Sequence, residues 1–416
     1  LVLIFVLAFF IRLTFTFVIR PVALGSLSPE LMDPDAFGAR AIHILEGRGF
    51  IDAGTGVPEV RRDPLYSYFI AGVWALCGQS KVVIQVANSA LGGLTAALTY
   101  LLAYVSFGRG VGLGAALLYS CFPLNIWYVP LYRYEALSTP LLALCGVLYI
   151  RLRDHLRWWD TILMGVVLGL TNLTLSTVLL MPLVLMLASL GSPHRKHLLV
   201  RLAVAALVMG AVIFPWTLRN YNVTEGKFII VRQGGPATFL LGNYAVTHYD
   251  KAPMQLTPLR ELAQADYEAI ILEKTGAASI DKVDPVQQER ILSQEVANFL
   301  KTQPGRLVWK VMVQAIRFWY LGDTIPKSIF ILSVQLPLLI MAILGMIHAF
   351  RHRRPFALYP LTIVYVNLIY AAIWVEARYS VPIEPYVMSL ASYGLLSLTP
   401  VLNSVERFKS AFRRAG

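Results

Sequence analysis

Gly169-Leu170-Thr171-Asn172-Leu173-Thr174-Leu175-Ser176-Thr177 lies between two short apolar runs, 159–174 and 177–191. Read as a break, this stretch separates two membrane crossings. Read through, it joins them into one, and every loop downstream changes side. Charge decides between the two. With a break, Arg109, the cluster Arg151-Leu152-Arg153-Asp154-His155-Leu156-Arg157, the cluster His194-Arg195-Lys196-His197, the cluster Arg351-His352-Arg353-Arg354 and the tail Arg407 to Arg414 share one side. The positive-inside rule makes that side cytoplasmic. Merging the runs would put Arg351 to Arg354 and the basic tail outside, so the break is read as a turn.

Outward from that turn, apolar runs of the length that crosses about 30 Å of hydrocarbon fall at about 1–20, 82–107, 109–128, 134–152, 159–174, 177–191, 198–216, 328–350, 356–374 and 380–400. The predicted fold class is an all-α polytopic membrane protein of about ten transmembrane helices. Composition agrees: 57% of the 416 residues are hydrophobic and 14% charged. The first run lacks a small-residue cleavage site and is expected to be retained as a helix. The chain opens on Leu1 and not on Met, which leaves room for residues upstream. Of the 24 acids, only Asp154, Asp160 and Glu406 fall on the cytoplasmic side. The net charge of +12 is therefore a mark of topology and not of nucleic-acid binding. Cys77, Cys121 and Cys145 stand in apolar stretches without metal-ligand spacing.

This topology predicts three parts: an N-terminal transmembrane module, 1–216, with a first outer loop at 21–81; an outer-face helical segment, 217–327; and C-terminal helices with a basic tail, 328–416. In the first outer loop a helix is expected from Ala36 to Glu46, closed by Gly47-Arg48-Gly49. The aromatic run Pro64 to Trp74 is too short to span and suits a re-entrant or interfacial helix. In the outer segment, Thr257-Pro258 and Asp284-Pro285-Val286-Gln287 read as helix starts, and Gln303-Pro304-Gly305 as a stop. Beyond it Arg306, Lys310 and Arg317 fall within about 60° on a helical wheel, among Trp309, Phe318, Trp319 and Tyr320. That predicts a basic, aromatic helix at the outer membrane surface. Gly108-Arg109-Gly110-Val111-Gly112-Leu113-Gly114 follows no strand and is read as close helix packing. Asn222-Val223-Thr224 fits a glycosylation acceptor but carries little weight.

The outer edge then gathers Leu31-Met32-Asp33-Pro34-Asp35, Arg61-Arg62-Asp63-Pro64, Tyr132-Arg133-Tyr134-Glu135, Pro215-Trp216-Thr217-Leu218-Arg219-Asn220-Tyr221 and Glu376-Ala377-Arg378-Tyr379. Carboxylates take a proton from a hydroxyl, and arginines hold a phosphate bidentately. Together they suit transfer of a group from a lipid phosphate to a hydroxyl. Plainer readings stand beside this one. Arg61, Arg306 and Lys310 can be headgroup anchors, Glu135 can complement a helix dipole, and one of Asp33 and Asp35 can cap the helix from Ala36.

In these motifs, in their order and common sidedness, with Pro382, Glu384 and Pro385 after Arg378-Tyr379, the chain resembles the GT-C glycosyltransferases that use polyprenyl-phosphate sugars. That group includes the dolichyl-phosphate-mannose protein mannosyltransferases and the bacterial aminoarabinose lipid A transferases. The resemblance implies an inverting transfer at the anomeric carbon on the extracytoplasmic face of a plasma membrane, bacterial inner membrane included. It implies Asp35 as catalytic residue, with Asp33 as the nearby alternative and Glu135 as a second acid. Arg62, Arg219 and Arg378, then Lys310 and Arg317, are the expected donor-phosphate contacts. Asp63, Tyr66, Tyr132, Tyr134 and Tyr379 are expected along the substrate groove. Expected partners are a polyprenyl-phosphate-linked sugar, a lipid, glycan or protein acceptor, and membrane lipids, with no nucleic acid. The chain departs from the lipid A enzymes at Asp63, where they carry a lysine, and its outer segment shows no second soluble fold.

A divalent metal is an open possibility on Asp33, Asp35, His43 and Glu135, with no other cofactor implied. Two rival functions are a transporter or flippase of lipid-linked or small solutes, and a non-enzymatic lipid-handling protein on the same fold. A transporter should show an internal repeat and midplane charges, whereas these charges gather at one face. The non-enzymatic reading predicts loss of the acids, and Asp35 and Glu135 are present.

Overall fold

The computed structural model describes residues 1–25, 27–283, 285–352 and 354–398. The basic tail Arg407 to Arg414, Glu406, Arg353 and Asp284 of the expected capping box lie outside the described residues. Along the chain the α-helices of eight residues or more are α1 (Val2–Thr14), α2 (Phe37–Leu45), α3 (Leu65–Cys77), α4 (Lys81–Phe107), α5 (Arg109–Cys121) and α6 (Glu135–His155). Next come α7 (Trp158–Thr174), α8 (Met181–Ala188), α9 (Arg195–Val223), α10 (Gly235–Thr247), α11 (Leu256–Thr275) and α12 (Pro285–Thr302). The last are α13 (Pro304–Arg317), α14 (Ile325–Arg351), α15 (Leu358–Ile373) and α16 (Glu384–Ser397). No named strand occurs among the described residues, only an isolated bridge between Ile51 and Pro58.

Each of the ten predicted apolar runs holds helix. Among the described residues five helical segments are long and apolar enough to cross a membrane: Val2–Ala23, α4, α6, α9 and α14. The chain is a membrane protein. The other runs fold into shorter helices, so the count of ten crossings rests on the sequence reading alone. The decisive turn is real, because α7 ends at Thr174 and Leu175 leaves helical geometry. A 3-10 turn, Ser176–Val178, then leads to α8, which at 8 residues reaches about 12 Å.

The chain forms two compact units, one of Leu1–Val231, Pro337–Ile363 and Val381–Gly416, the other of Arg232–Leu336 and Val364–Ser380. In the first, small residues bring helices together. Gly165 and Gly169 lie four apart on α7, and a Cβ on either would come within 2.6 Å of α9, at Val208 and Val212. This is the small-xxx-small pattern by which backbones approach in lipid. Gly345 of α14 and Gly394 of α16 each face the other helix's carbonyl, Leu390 and Met341. The glycine run at 108–114 packs as expected: Gly112 lies against the Tyr100 carbonyl and Gly114 against Ser392.

The segment between α2 and α3 is folded upon itself. Asp52 Oδ1 accepts from the amides of Gly54 and Thr55 at 3.0 and 2.9 Å, which turns the chain so that Phe50 and Glu59 pair at their backbones. Behind it, Phe37, Ala41, Tyr66, Ile70, Trp74 and Tyr132 form one buried apolar cluster. Here α2 begins at Phe37 and not at Ala36, whose φ of 55° places it in the left-handed region as the cap residue.

In the second unit, Leu240, Ile271, Val283 and Leu292 pack α10, α11 and α12 together. The start expected with Thr257 as cap moves by two residues: α11 is capped at Gln255 without a side-chain bond, and Thr257 lies inside it. Helix α13 buries Lys310, Gln314 and Arg317 and exposes Trp309, Met312 and Ile316. Arg306 falls on the exposed part, so the three cations do not share one environment.

Candidate active site

Two acids separated by a single proline take different work. Asp33 caps α2: its Oδ1 accepts from the Phe37 amide at 2.8 Å and its Oδ2 from the Gly38 amide at 2.8 Å. The capping alternative therefore belongs to Asp33. Gly38 is needed here, because a Cβ would stand 2.9 Å from the Tyr132 ring and 3.0 Å from Asp33 Oδ2. Burial pushes the Asp33 carboxyl up to about 6, against the amides of Gly38, Phe37 and Ala39, with the nearby Asp35 charge adding to the rise.

Asp35 makes no cap and turns to arginines. Its Oδ1 lies 3.2 Å from Arg62 Nη1, and its Oδ2 accepts from Arg133. Arg133 arrives there because the Tyr132 amide donates to the Met32 carbonyl at 2.8 Å, pinning the 128–134 loop beside the acid segment. The backbone of Asp35 is held as well: Arg40 Nη1 donates to its carbonyl at 2.5 Å. Arg40 in turn gives Nε and Nη2 to Glu59 Oε2 at 3.1 and 2.7 Å, with both side chains 5% exposed. Arg62, at 39%, is the most open of these groups.

Glu135 is the first residue of α6 and is buried. It lines a recess that also contains Arg133. Asp63 is buried, Tyr134 is partly buried, and Tyr66 and Tyr132 belong to the apolar cluster. The last two are corrected from groove to core: Tyr66 has no exposed surface, and its hydroxyl donates to Asn88 Oδ1 at 3.2 Å.

Arg219 also departs from expectation. Its guanidinium donates to the carbonyls of Phe50 at 2.5 Å and Glu59 at 2.7 Å, closing the base of the folded loop. The whole motif from Pro215 is spent on the backbone, since Trp216 donates to Val231 O and Asn220 to Ile229 O and Val231 O. In this structure it clasps the loop.

Lys310, Arg317, Arg378 and Tyr379 lie in the second unit. Lys310 Nζ donates to the Phe239 carbonyl at 2.7 Å and sits over its ring, and burial lowers its ammonium to about 7. Arg317 stands over the Tyr249 ring. Arg378 Nε donates to Glu376 Oε2 at 2.6 Å, and Arg260 pairs with the same carboxylate. Burial works against ionising Glu376, but Arg378 and Arg260 outweigh it and hold the carboxyl well below its ordinary range. Tyr379 stacks on Tyr370.

No group of three or more His, Cys, Asp or Glu side chains able to hold a metal occurs among the described residues. Of the set considered from sequence, Asp33 faces amides, Asp35 faces guanidiniums, and His43 lies 3.8 Å from Glu46.

Among solved structures, the chain is similar to the archaeal oligosaccharyltransferase AglB from Archaeoglobus fulgidus in complex with an inhibitory peptide and a dolichol-phosphate. The TM-score is 0.63 at 12% identity, over 99% of this chain and 51% of that one. The chain has the GT-C fold. The apo form of the Archaeoglobus fulgidus oligosaccharyltransferase gives the same GT-C likeness, with a TM-score of 0.61 at 14% identity over 100% and 52% of the chains. This chain thus spans about half the length of the oligosaccharyltransferase structures it matches. ArnT from Cupriavidus metallidurans bound to undecaprenyl phosphate matches at a TM-score of 0.41 and 13% identity, over 95% and 76%. Residues 58–218 match the family model described as dolichyl-phosphate-mannose-protein mannosyltransferase. A search of the curated proteins returned no match.

The sequence motifs did not single out Arg40, Glu59 or Arg133 as site residues. Arg133 had a signal, standing beside Glu135 at the outer edge. Arg40 and Glu59 had none, since their pairing across 19 positions exists only once the loop folds.

Proposed function

We propose that the protein is an integral membrane glycosyltransferase that moves a sugar from polyprenyl phosphate to a hydroxyl of a lipid, glycan or protein on the extracytoplasmic face. The observation that carries this reading is Asp35, a carboxylate fixed at its backbone and presented to Arg62 and Arg133 in a chain of GT-C fold. A polyprenyl-phosphate donor suits Arg62, which is open enough to leave Asp35 for a phosphate oxygen and free one carboxylate oxygen as it goes. The acceptor oxygen then attacks the anomeric carbon and the bond to the phosphate oxygen breaks. The hydroxyl proton passes to Asp35, and the configuration inverts. Arg133 stays to orient Asp35, and Arg62 meets the charge that grows on the leaving phosphate. Arg219, Arg378, Lys310 and Arg317 are each engaged elsewhere, so Arg62 takes first place in this reading. Glu135 is proposed to orient the sugar.

The test is transfer of radiolabelled sugar from polyprenyl phosphate by the full chain in reconstituted membranes. Asp35→Asn should reduce it by about 100-fold or more. Intact transfer in that variant sinks the assignment. A transporter would move solute down a gradient regardless of Asp35.

A further inference from the structure

Arg12 lies in membrane-spanning α1 with its side chain wholly buried. Its guanidinium donates to the carbonyls of Ala8 at 3.0 Å and Tyr119 at 3.3 Å, while Nε has no partner among the described residues. Gly92 makes the room, since a Cβ there would collide with Arg12 Nε. A π turn, Phe15–Ile19, continues the same helix, a rare feature that recurs at functional sites. Asn125 is 5% exposed, and neither atom of its amide has a partner among the described residues. Both side chains line one recess, part of it open to solvent, with Asn88, Tyr119, Arg133 and Glu135.

An amide buried with both ends unmet is unfavourable, so this recess is built to be filled. Its lining mixes donors with a carboxylate. A bound anion would face Glu135 at close range, whereas a neutral polyol uses guanidinium, amide and carboxylate together. We propose that the recess is a sugar-hydroxyl subsite, in which Asn125 and Arg12 hold hydroxyl groups of the transferred sugar. This rests on the glycosyltransferase reading. Arg133 lines the recess and also donates to Asp35, so hydroxyls held here belong to the sugar whose anomeric carbon Asp35 serves.

Two measurements on the full chain in lipid nanodiscs test it. In the first, methyl α-mannoside at high concentration should raise the melting temperature of the wild type and inorganic phosphate should not. Asn125→Leu, and Gly92→Ala, whose added methyl displaces the Arg12 guanidinium, should lose the effect of the glycoside. Protection by phosphate alone, or by neither probe, overturns the subsite, the second outcome meaning that water fills it. In the second, a donor lacking one sugar hydroxyl should lose about 10-fold or more in kcat/KM with the wild type. With Asn125→Leu that ratio should approach one. A uniform loss for all donors means a structural role and also overturns the proposal. Asp35→Asn should keep glycoside protection while losing transfer. If transfer depends on Asp35 and the glycoside does not bind, the subsite alone fails. If the glycoside binds and transfer survives Asp35→Asn, the catalytic reading fails.

Discussion

Asp33 and Asp35 flank a single proline, yet the first spends its carboxylate on the amides that open α2 and the second holds its carboxylate to Arg62 and Arg133. The division follows from geometry. Ala36 turns into the left-handed region, and that turn aims Asp33 back along the new helix axis while leaving Asp35 outside it.

The pair should therefore separate in mutagenesis. Asp33→Ala removes a cap and should cost about 1 kcal/mol of stability. Asp35→Asn should leave the melting temperature nearly unchanged and abolish transfer. Equal loss of transfer and stability in both variants would contradict the division.

Asp33 also gives a pH signature. Its folded carboxyl titrates at about 6 against an ordinary 3.8, so the folded protein keeps a proton that the unfolded chain releases over that interval. The contribution to stability is fully present below about 3.8 and is lost as pH rises through 6. Melting curves between pH 4 and 7 should show this loss in the wild type and not in Asp33→Asn.

The buried pair of Arg40 and Glu59 is the support of the loop. Arg40→Met should destabilise by about 3–5 kcal/mol, because it leaves Glu59 charged and unmatched. The double variant with Glu59→Met should recover much of that loss. A thermal-denaturation cycle measures the coupling, and strict additivity would refute it.

Arg62 and Arg133 should differ in kinetics. Arg62→Gln is expected to raise the KM for donor and weaken its salt dependence, because it removes a half-exposed cation offered to phosphate. Arg133→Gln should lower kcat with less effect on KM, since it frees the orientation of Asp35. Interchanged effects would reverse the two roles.

Glu376 predicts acid sensitivity in the second unit. Its carboxyl is held below its ordinary value by Arg378 and Arg260. The stability it adds is present above about 4.5 and is lost as pH falls through the depressed folded value. Glu376→Gln should flatten that acid limb, with tryptophan fluorescence of Trp374 as a local readout.

Much of the fold was legible because apolar length and charge sidedness are local properties. The run of Pro64 to Trp74 announced α3, and the break around Asn172-Leu173-Thr174 announced the end of α7. The glycine run at 108–114 announced close packing. The motif from Pro215 to Tyr221 was legible as important but not in its use. An arginine that grips two carbonyls and one that grips a phosphate look the same in sequence. Tyr66 and Tyr132 fail for a related reason, since an outer-edge tyrosine lines a groove or fills a core according to which neighbours the loop brings.

By itself, then, the sequence determined that this is a helical membrane protein. Hydrophobic span length and the cost of moving charge across a bilayer act on each segment separately. Tertiary structure decided which acid caps and which faces arginine, that Arg219 clasps a loop, and that Arg12 and Asn125 meet in one recess. Apart from the Asp33 cap, whose amides lie four and five positions away, those outcomes depend on directional bonds between residues tens to more than a hundred positions apart, and no single segment contains both partners.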